Sequence, residues 1–468
     1  MATERSYPVQ KSAPDGQRGH ALTRSFFTTQ IPYLKPPQFE AFEFPIYHQF
    51  GGMPMKTFSR IFATFLLVMF SLNIPALATT LDELFQQQEN SPVDAASPTE
   101  RFQQAEQAAI VLEKNWDTFG DVSFWIRGCM VESLINYIAA AYAINRTPDN
   151  DIVLRVKDQL LKWPSIEKKL DKNNEDFDDR LWWAMVFIRY YEVIDNNRDL
   201  LDNKAAFIFK DRVVEKNAYD DFYEGGVWWQ YAPKPFEYPL WKKGPFPGRQ
   251  KTAVTNSLFL MIAARLALHY NKLGDTERYN YFLEWANKEA NWLRNHTPYD
   301  IWGRSVSPVG DALEKDGEVV IDIWTYNQGL YTIAMADYAE LIKDSWPLQL
   351  AVDHWNGYYK IIWPDGVLRE LVNRDNPSGY PRTDLMVFKG LATRHWMYAY
   401  DRIKAFSSTM ASQISSVVRN SADRALANGN QQNKFGFYWE KSDPFKWNAA
   451  TQSSAVDLLS AAVMESTK

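Results

Sequence analysis

Apolar residues recur every three or four positions over most of the chain beyond residue 98, and no other feature restricts the fold as strongly. Leu258, Ile262 and Leu266 step this way, as do Leu330, Ala334, Tyr338 and Leu341, and Leu385, Phe388, Ala392, Trp396 and Ala399. Each set marks a helix with one buried face. The pattern predicts helices over 98–116, 125–144, 150–162, 178–196, 201–215, 252–272, 275–295, 322–343, 347–362, 384–405, 411–428 and 451–464, with few strand-like runs. Short connections alternate with long aromatic ones rich in Gly and Pro at 219–229, 231–249, 297–319 and 363–382. Helices joined this way suit two concentric rings, with the long loops building a cleft at one end. No repeat or linker divides the helical region, so 98–468 reads as a single domain.

The N-terminal part reads differently. Residues 55–78 have the form of an export signal: Lys56 and Arg60, an apolar run from Ile61 to Leu72, then Ala76-Leu77-Ala78 as a small-x-small cleavage site. The run is shorter than the ~20 residues a spanning helix needs. A signal of this kind normally begins at the start codon, so translation is expected at Met55, with 1–54 a misassigned or disordered extension and 79–97 a flexible lead-in. The mature chain is expected outside the cytoplasm, whether secreted, periplasmic or at the cell surface, without stable membrane insertion and as a monomer.

Charge and composition remove several classes of function. A net charge of -6 with no long basic run argues against nucleic acid as the partner. The single cysteine, Cys129, permits no internal disulfide or thiolate cluster, and the six histidines show no metal-ligand spacing or serine elbow. No GxGxxG or P-loop pattern is present, so no cofactor and no metal are expected. Aromatic residues reach 15%, including 18 Trp and 24 Tyr. Such an excess serves a large helical core and a carbohydrate cleft equally well.

Within this frame Asp178 and Asp179 stand side by side at the head of an aromatic helix, Asp-Phe-Asp-Asp-Arg-Leu-Trp-Trp-Ala-Met over 176–185. Glycosidic cleavage needs one carboxylic acid to protonate the leaving oxygen and a second carboxylate to attack or to activate water. Helical spacing puts Trp182 and Trp183 three and four residues beyond Asp179, where an indole could stack on a pyranose. The same acids also suit a helix N-terminus as caps, and the same rings suit a core. A second acidic pair, Asp220-Asp221, has no tryptophan at helical spacing and reads as turn chemistry or secondary binding.

Five motifs in order give the chain a resemblance to glycoside hydrolase family 76, the endo-acting α-1,6-mannanases, over about Trp116 to Leu459. Asp-Asp-x-x-Trp-Trp at 178–183 is similar to the family's catalytic motif. The others are Gly225-Gly226-Val227-Trp228-Trp229, Trp324-Thr325-Tyr326-Asn327-Gln328-Gly329, Phe388-Lys389-Gly390 and Gln452-Ser453-Ser454-Ala455. The resemblance implies an all-α (α/α)6 toroid of about twelve helices, a mannan-type poly- or oligosaccharide substrate, and retention, with Asp178 as nucleophile and Asp179 as acid/base. It also implies substrate contacts from Trp182, Trp183, Trp228, Trp229, Asn256, Trp324, Tyr326, Asn327 and Gln328. In Lys251-Thr252-Ala253-Val254-Thr255-Asn256-Ser257, Thr252 replaces the family's usual Asn and Ser257 its usual Glu, while Glu224 replaces a glycine.

Each of these residues also fits an ordinary structural role. The two glycines allow a turn, Trp228 and Trp229 suit a core as well as a sugar subsite, and Tyr326, Asn327 and Gln328 can brace a helix start as well as hold sugar hydroxyls. Two other functions fit the same residues: a transglycosylase using the same acids, and a secreted glycan-binding protein in which the acids are only caps.

Overall fold

The computed structural model describes residues 97–120, 122–172, 176–230, 250–296, 307–314, 319–320, 322–370, 383–429, 432–441 and 447–468. The expected extension, export signal and all of the lead-in before Ser97 lie outside them, as does the predicted loop 231–249.

Helix starts follow from local chemistry. In α1 (Pro98–Lys114) Ser97 and Glu100 form a reciprocal capping box ahead of Pro98, whose missing N–H costs nothing in the first turn. Next come α2 (Phe124–Ala143), α3 (Asn150–Leu161), α4 (Trp163–Lys172) and α5 (Phe177–Val193). The periodicity missed α4: Pro164 reads as a terminator, yet in a first turn it is tolerated. The short helix Arg198–Leu200 runs through a π-helical turn, Leu201–Ala205, into α6 (Ala206–Arg212). Then follow α7 (Ala253–Lys272), α8 (Thr276–Asn295), α9 (Thr325–Ile342), α10 (Trp346–Tyr359), α11 (Leu385–Phe406), α12 (Ser408–Asn428) and α13 (Ala449–Glu465).

Helices α2, α5, α7, α9, α11 and α13 each pack on two neighbours and close into an inner ring. Around them lie α1 on α13 and α2, α3 on α2, α6 on α5, α8 on α7, α10 on α9, and α12 on α11 and α13. This is the expected (α/α)6 toroid. Inner helices are buried on nearly every side, which explains their weak amphipathicity. Among the described residues only α7 is long and apolar enough to cross a membrane, and it is an inner helix buried in the protein.

Because outer and inner helices alternate along the chain, all inner helices run the same way and start at one end. Their preceding loops meet there. The Phe177 N–H donates to the Trp229 carbonyl at 2.8 Å, and the Ala253 N–H to the Asp311 carbonyl at 2.7 Å. A small antiparallel sheet joins two of these loops: β1 (Gln250–Thr252) pairs with β2 (Ala312–Glu314), with Lys251 opposite Leu313, and β2 pairs with β3 (Val319–Val320).

Three buried charges inside the ring form a cluster. Arg394 of α11 lies 3.2 Å from Glu132 of α2 and 3.4 Å from Asp457 of α13, all three buried. Asp457 also accepts from Ser133 and Asn136 at 2.9 Å each. Removing one partner of such a cluster typically costs about 3–5 kcal/mol, because the others stay buried without it.

Gly390 lets α11 and α13 touch: a Cβ there would lie 2.5 Å from the Ser454 Cα and 2.6 Å from its carbonyl oxygen. Gly390→Ala gains roughly 1 kcal/mol of helix propensity. Backbone has no rotamer with which to yield, so overpacking of about 1–3 kcal/mol should win. Denaturant unfolding is expected to show net destabilisation, and a stabilised Gly390→Ala would contradict this contact.

Candidate active site

The aspartate pair occupies the second and third residues of α5, an inner helix, at the end where the loops gather. Asp178 is half-buried, and its Oδ1 is sealed from solvent with no hydrogen-bond partner among the described residues. Burial first, then the charges of Asp179 and Asp176, push its proton affinity well above the usual carboxylate range. A lone-pair oxygen left bare in this way is costly to the fold. It is also what a carboxyl aimed at a substrate looks like before the substrate arrives.

A chain of backbone contacts fixes the start of α5. Asn256 of α7, fully buried, accepts from the Val227 N–H at 2.6 Å and donates to the carbonyls of Val227 at 2.9 Å and Thr252 at 2.7 Å. Two residues on, the Trp229 N–H donates to Gln250 of β1 at 2.7 Å, while its carbonyl takes the Phe177 N–H. Asp176 accepts from Gln230 at 2.7 Å. The loop bends sharply before this bridge: Tyr223 and Glu224 have φ of 56° and 62°, and Gly225 and Gly226 have φ of 128° and 84°. A Cβ on Gly226 would lie 2.5 Å from the Trp292 ring, so the glycines answer to close packing as well as to φ. Glu224, in place of the family's third glycine, bears a left-handed conformation that costs a non-glycine residue roughly 1–2 kcal/mol.

Lys251 is the buried tie of this loop. Its Nζ donates to Asp220 at 3.0 Å, to the Phe222 carbonyl at 2.6 Å and to the Gly225 carbonyl, and sits 4.7 Å from the Trp228 ring centroid. Burial lowers its proton affinity, and Asp220 opposes that effect. Asp220 also accepts from the Trp228 indole N–H at 2.7 Å and from the Phe222 N–H at 3.2 Å. The second acidic pair therefore contributes a loop brace through Asp220, in line with turn chemistry.

Several residues expected at the sugar lie elsewhere. Trp182 and Trp183 are 1% and 2% exposed. Trp182 stacks against Trp125 with centroids 6.1 Å apart, and Trp183 donates to the Phe124 carbonyl at 3.1 Å. They back the acidic pair from the core and present no open face, because the inner side of α5 is packed against α2 and α7. Trp228 is also buried, against Lys251 and Phe222. Asn256 is a loop clamp. Gln328 is one too: its Oε1 accepts from the Val309 N–H at 2.9 Å and its Nε2 donates to the Val309 carbonyl at 2.7 Å. Thr252 caps α7 by accepting from the Thr255 N–H, a role that Asn also fills well, so this departure from the family keeps the cap. Ser257 has a buried hydroxyl with no partner among the described residues.

Other expected residues do gather near the pair. Tyr326, 8% exposed, stacks on Phe388 with centroids 3.8 Å apart and rings 11° from parallel. Burial first, then the carboxylates of Asp311, Asp178, Asp384 and Glu370, hold its phenol well above the usual range. The charges that act on the Tyr326 phenol thus include Asp178 together with carboxyl groups from the loop before α9 and the connection into α11. Asn327 donates to Asp311 at 3.0 Å, and its own buried Oδ1 lacks a partner among the described residues. Trp324 is half-buried, edge-on to Phe388, and Trp229 is half-buried at the start of α5.

Sequence reasoning missed Asp311, Phe388 as a stacking partner, and Glu370. Glu370 accepts from the Thr325 N–H at 3.0 Å and its hydroxyl at 2.5 Å, capping α9. Burial pushes its carboxyl up to about 7, against the two Thr325 bonds and the Lys389 charge. Phe388 alone carried a signal, through its motif.

A closed double ring of helices with paired acids at its loop end offers the two carboxyl groups that glycosidic cleavage needs. The chain belongs to glycosyl hydrolase family 76, whose model matches residues 57–468. No protein of curated function matches the sequence. Among solved structures it is similar to an α-1,6-mannanase of Salegentibacter sp. HEL1_6, inactivated by changing two consecutive aspartates to asparagine and bound to α-1,6-mannotriose. That likeness is 18% identity at a TM-score of 0.60, covering 77% of this chain and 99% of that one. It is similar also to Dfg5 from Chaetomium thermophilum in complex with glucosamine, at 18% identity and a TM-score of 0.61, covering 80% and 92%. A family 76 α-mannanase of Bacteroides thetaiotaomicron is 12% identical with a TM-score of 0.55, covering 78% and 95%.

Asp178 holds its proton more tightly folded than unfolded. Below the ordinary aspartate pKa of ~3.9 both states keep it; as pH rises through and above that value, the unfolded chain ionises at no cost while the folded one resists, and stability falls. Asp178→Asn removes this loss. Its melting temperature is expected to exceed the parent's at pH 7, the gap closing as the pH approaches ~4. An Asn protein less stable than the parent at pH 7 would contradict the assignment of burial as the dominant cause.

Proposed function

We propose that the protein hydrolyses α-1,6-mannosidic bonds in a mannan-type glycan with retention of configuration. The observation that carries this reading is the sealed, unpartnered Oδ1 of Asp178 beside Asp179, at the loop end of a family 76 toroid. The consecutive aspartates changed in the Salegentibacter mannanase bound to mannotriose support the substrate and the pair together.

In this mechanism Asp178, ionised, attacks the anomeric carbon while Asp179, protonated, gives its proton to the leaving glycosidic oxygen. A glycosyl ester forms on Asp178 and the shortened glycan leaves. Asp179, now a carboxylate, takes a proton from water as that water attacks the anomeric carbon and frees Asp178. The neighbouring like charges keep one proton on the pair near the working pH. Aromatic and polar groups on the loop end, Tyr326, Trp324 and Trp229 among them, would orient the sugar.

A transferase would use the same acids with a sugar hydroxyl in place of water. Adding acceptor oligosaccharide to the assay separates the two by product length. The signal-like residues 55–78 support export, and a mature protein beginning at Thr79 by N-terminal sequencing is the expected result.

Incubation with α-1,6-mannan and chromatography of released oligosaccharides tests the reading. Release is expected from the parent protein, with Asp178→Asn and Asp179→Asn slower by at least about 10³-fold. Near-parental turnover by both variants would end the assignment. In the parent, kcat/KM should rise with pH along an acid limb set by ionisation of Asp178, above the ordinary aspartate value of ~3.9. An acid limb at or below ~4 would contradict Asp178 as the nucleophile.

A further inference from the structure

Most of the described tryptophans lie wholly or partly in the core. Trp363, at 51% exposure, is the one exposed tryptophan among the described residues. It follows α10, in the connection that leads to the start of α11, and therefore stands at the same end of the toroid as the aspartate pair. A scattered surface apolar residue needs no explanation, but one whose support is built around it does.

The turn that carries Trp363 is tied down at several points. Its carbonyl accepts from the Gly366 N–H at 2.8 Å, Asp365 accepts from the Val367 N–H at 3.1 Å, and Ser421 of α12 accepts from the Leu368 N–H at 2.9 Å. Arg369 places its guanidinium 4.9 Å from the indole centroid. Asp365 holds that guanidinium with a 3.0 Å bond, and Glu440 approaches to 3.9 Å. The ring is thus braced on one side by a fixed cation while half of the residue's surface stays open. The open face of a ring backed in this way matches the apolar face of a pyranose.

Its position fits a chain that leaves the acidic pair. Trp363 and Arg369 line a small hollow with Thr325, Ile323 and Tyr358, and Thr325 is the first residue of α9, next to Tyr326 beside Asp178. The hollow measures about 20 Å³, room for roughly one water-sized group, so a sugar ring would lie across the indole and not inside the hollow.

We infer that Trp363, backed by Arg369, is an outer glycan subsite that holds pyranose units of the polymer at a distance from the reacting bond. The inference rests on the glycan reading of the acidic pair and adds a binding site to it. Trp363 acts on retention of the polymer and takes no part in bond cleavage.

Affinity electrophoresis of the full chain carrying Asp178→Asn, with and without Trp363→Ala, tests it in gels cast with α-1,6-mannan, branched mannan, β-1,4-mannan or an α-glucan. Matching thermal unfolding midpoints are expected for the two proteins, since the ring is exposed. Retardation by α-1,6-mannan that weakens roughly 3- to 10-fold on loss of Trp363 supports the subsite. Partial restoration by Trp363→Phe would support it further. Equal retardation of both proteins overturns it, and so does an absence of retardation in every gel. Retardation confined to another glycan and lost with Trp363 supports the subsite while overturning the α-1,6-mannan reading, so the two failures are distinguishable.

Discussion

Six helices that begin at one end of a toroid bring their unsatisfied N–H groups and their incoming loops into one small region, and each of those polar groups needs a partner. The structure meets this demand repeatedly in one way. The fourth residue of α7, of α9 and of α13 is an amide: Asn256, Gln328 and Gln452. Each clamps loop backbone, at Val227, Val309 and the pair Phe435 and Asn433 respectively. Buried lysines add to it, Lys251 through the Gly225 carbonyl and Lys389 through the Phe437 carbonyl at 2.5 Å. Glu370 serves the start of α9.

The Oδ1 of Asp178 is one of several buried polar atoms without a partner among the described residues, and it is the one that belongs to the acidic pair. The surroundings hold it in place without quenching it. Asn256 fixes Val227, Trp229 bridges to Phe177, and Trp182 and Trp183 fill the space beneath, so the pair rests on core and not on loop. The raised proton affinity of Asp178 follows from the same arrangement, since burial and like charge both disfavour its ionised form. Stability given up at such a site is the usual companion of activity. Tyr326 and Phe388 extend the rigid surface away from the pair.

Sequence periodicity was enough for the helices and their two rings, because a three-to-four step over ten or more residues has few other solutions. It failed at α4, where Pro164 hid a helix start. The acidic pair stood out as a candidate for chemistry because two adjacent acids heading an aromatic helix are unusual together, though the same acids suit a helix cap. Roles inside the motifs were not. Asn256 and Gln328 carry the groups that bind sugars, but the same groups bind backbone, and only the fold shows which partner each one meets. Trp182 and Trp183 share a spacing with the acids, yet spacing does not say which side of a helix is packed. Asp311 and Glu370 lie in connections without periodicity, and only the folded chain brings them near Tyr326.

Proton NMR of the first product released from an α-1,6-mannan backbone tests the central claim most directly, before mutarotation mixes the anomers. Attack by Asp178 followed by water predicts an α-configured reducing end in the earliest spectra. A β-configured first product would mean direct attack by water, and would contradict a glycosyl ester on Asp178.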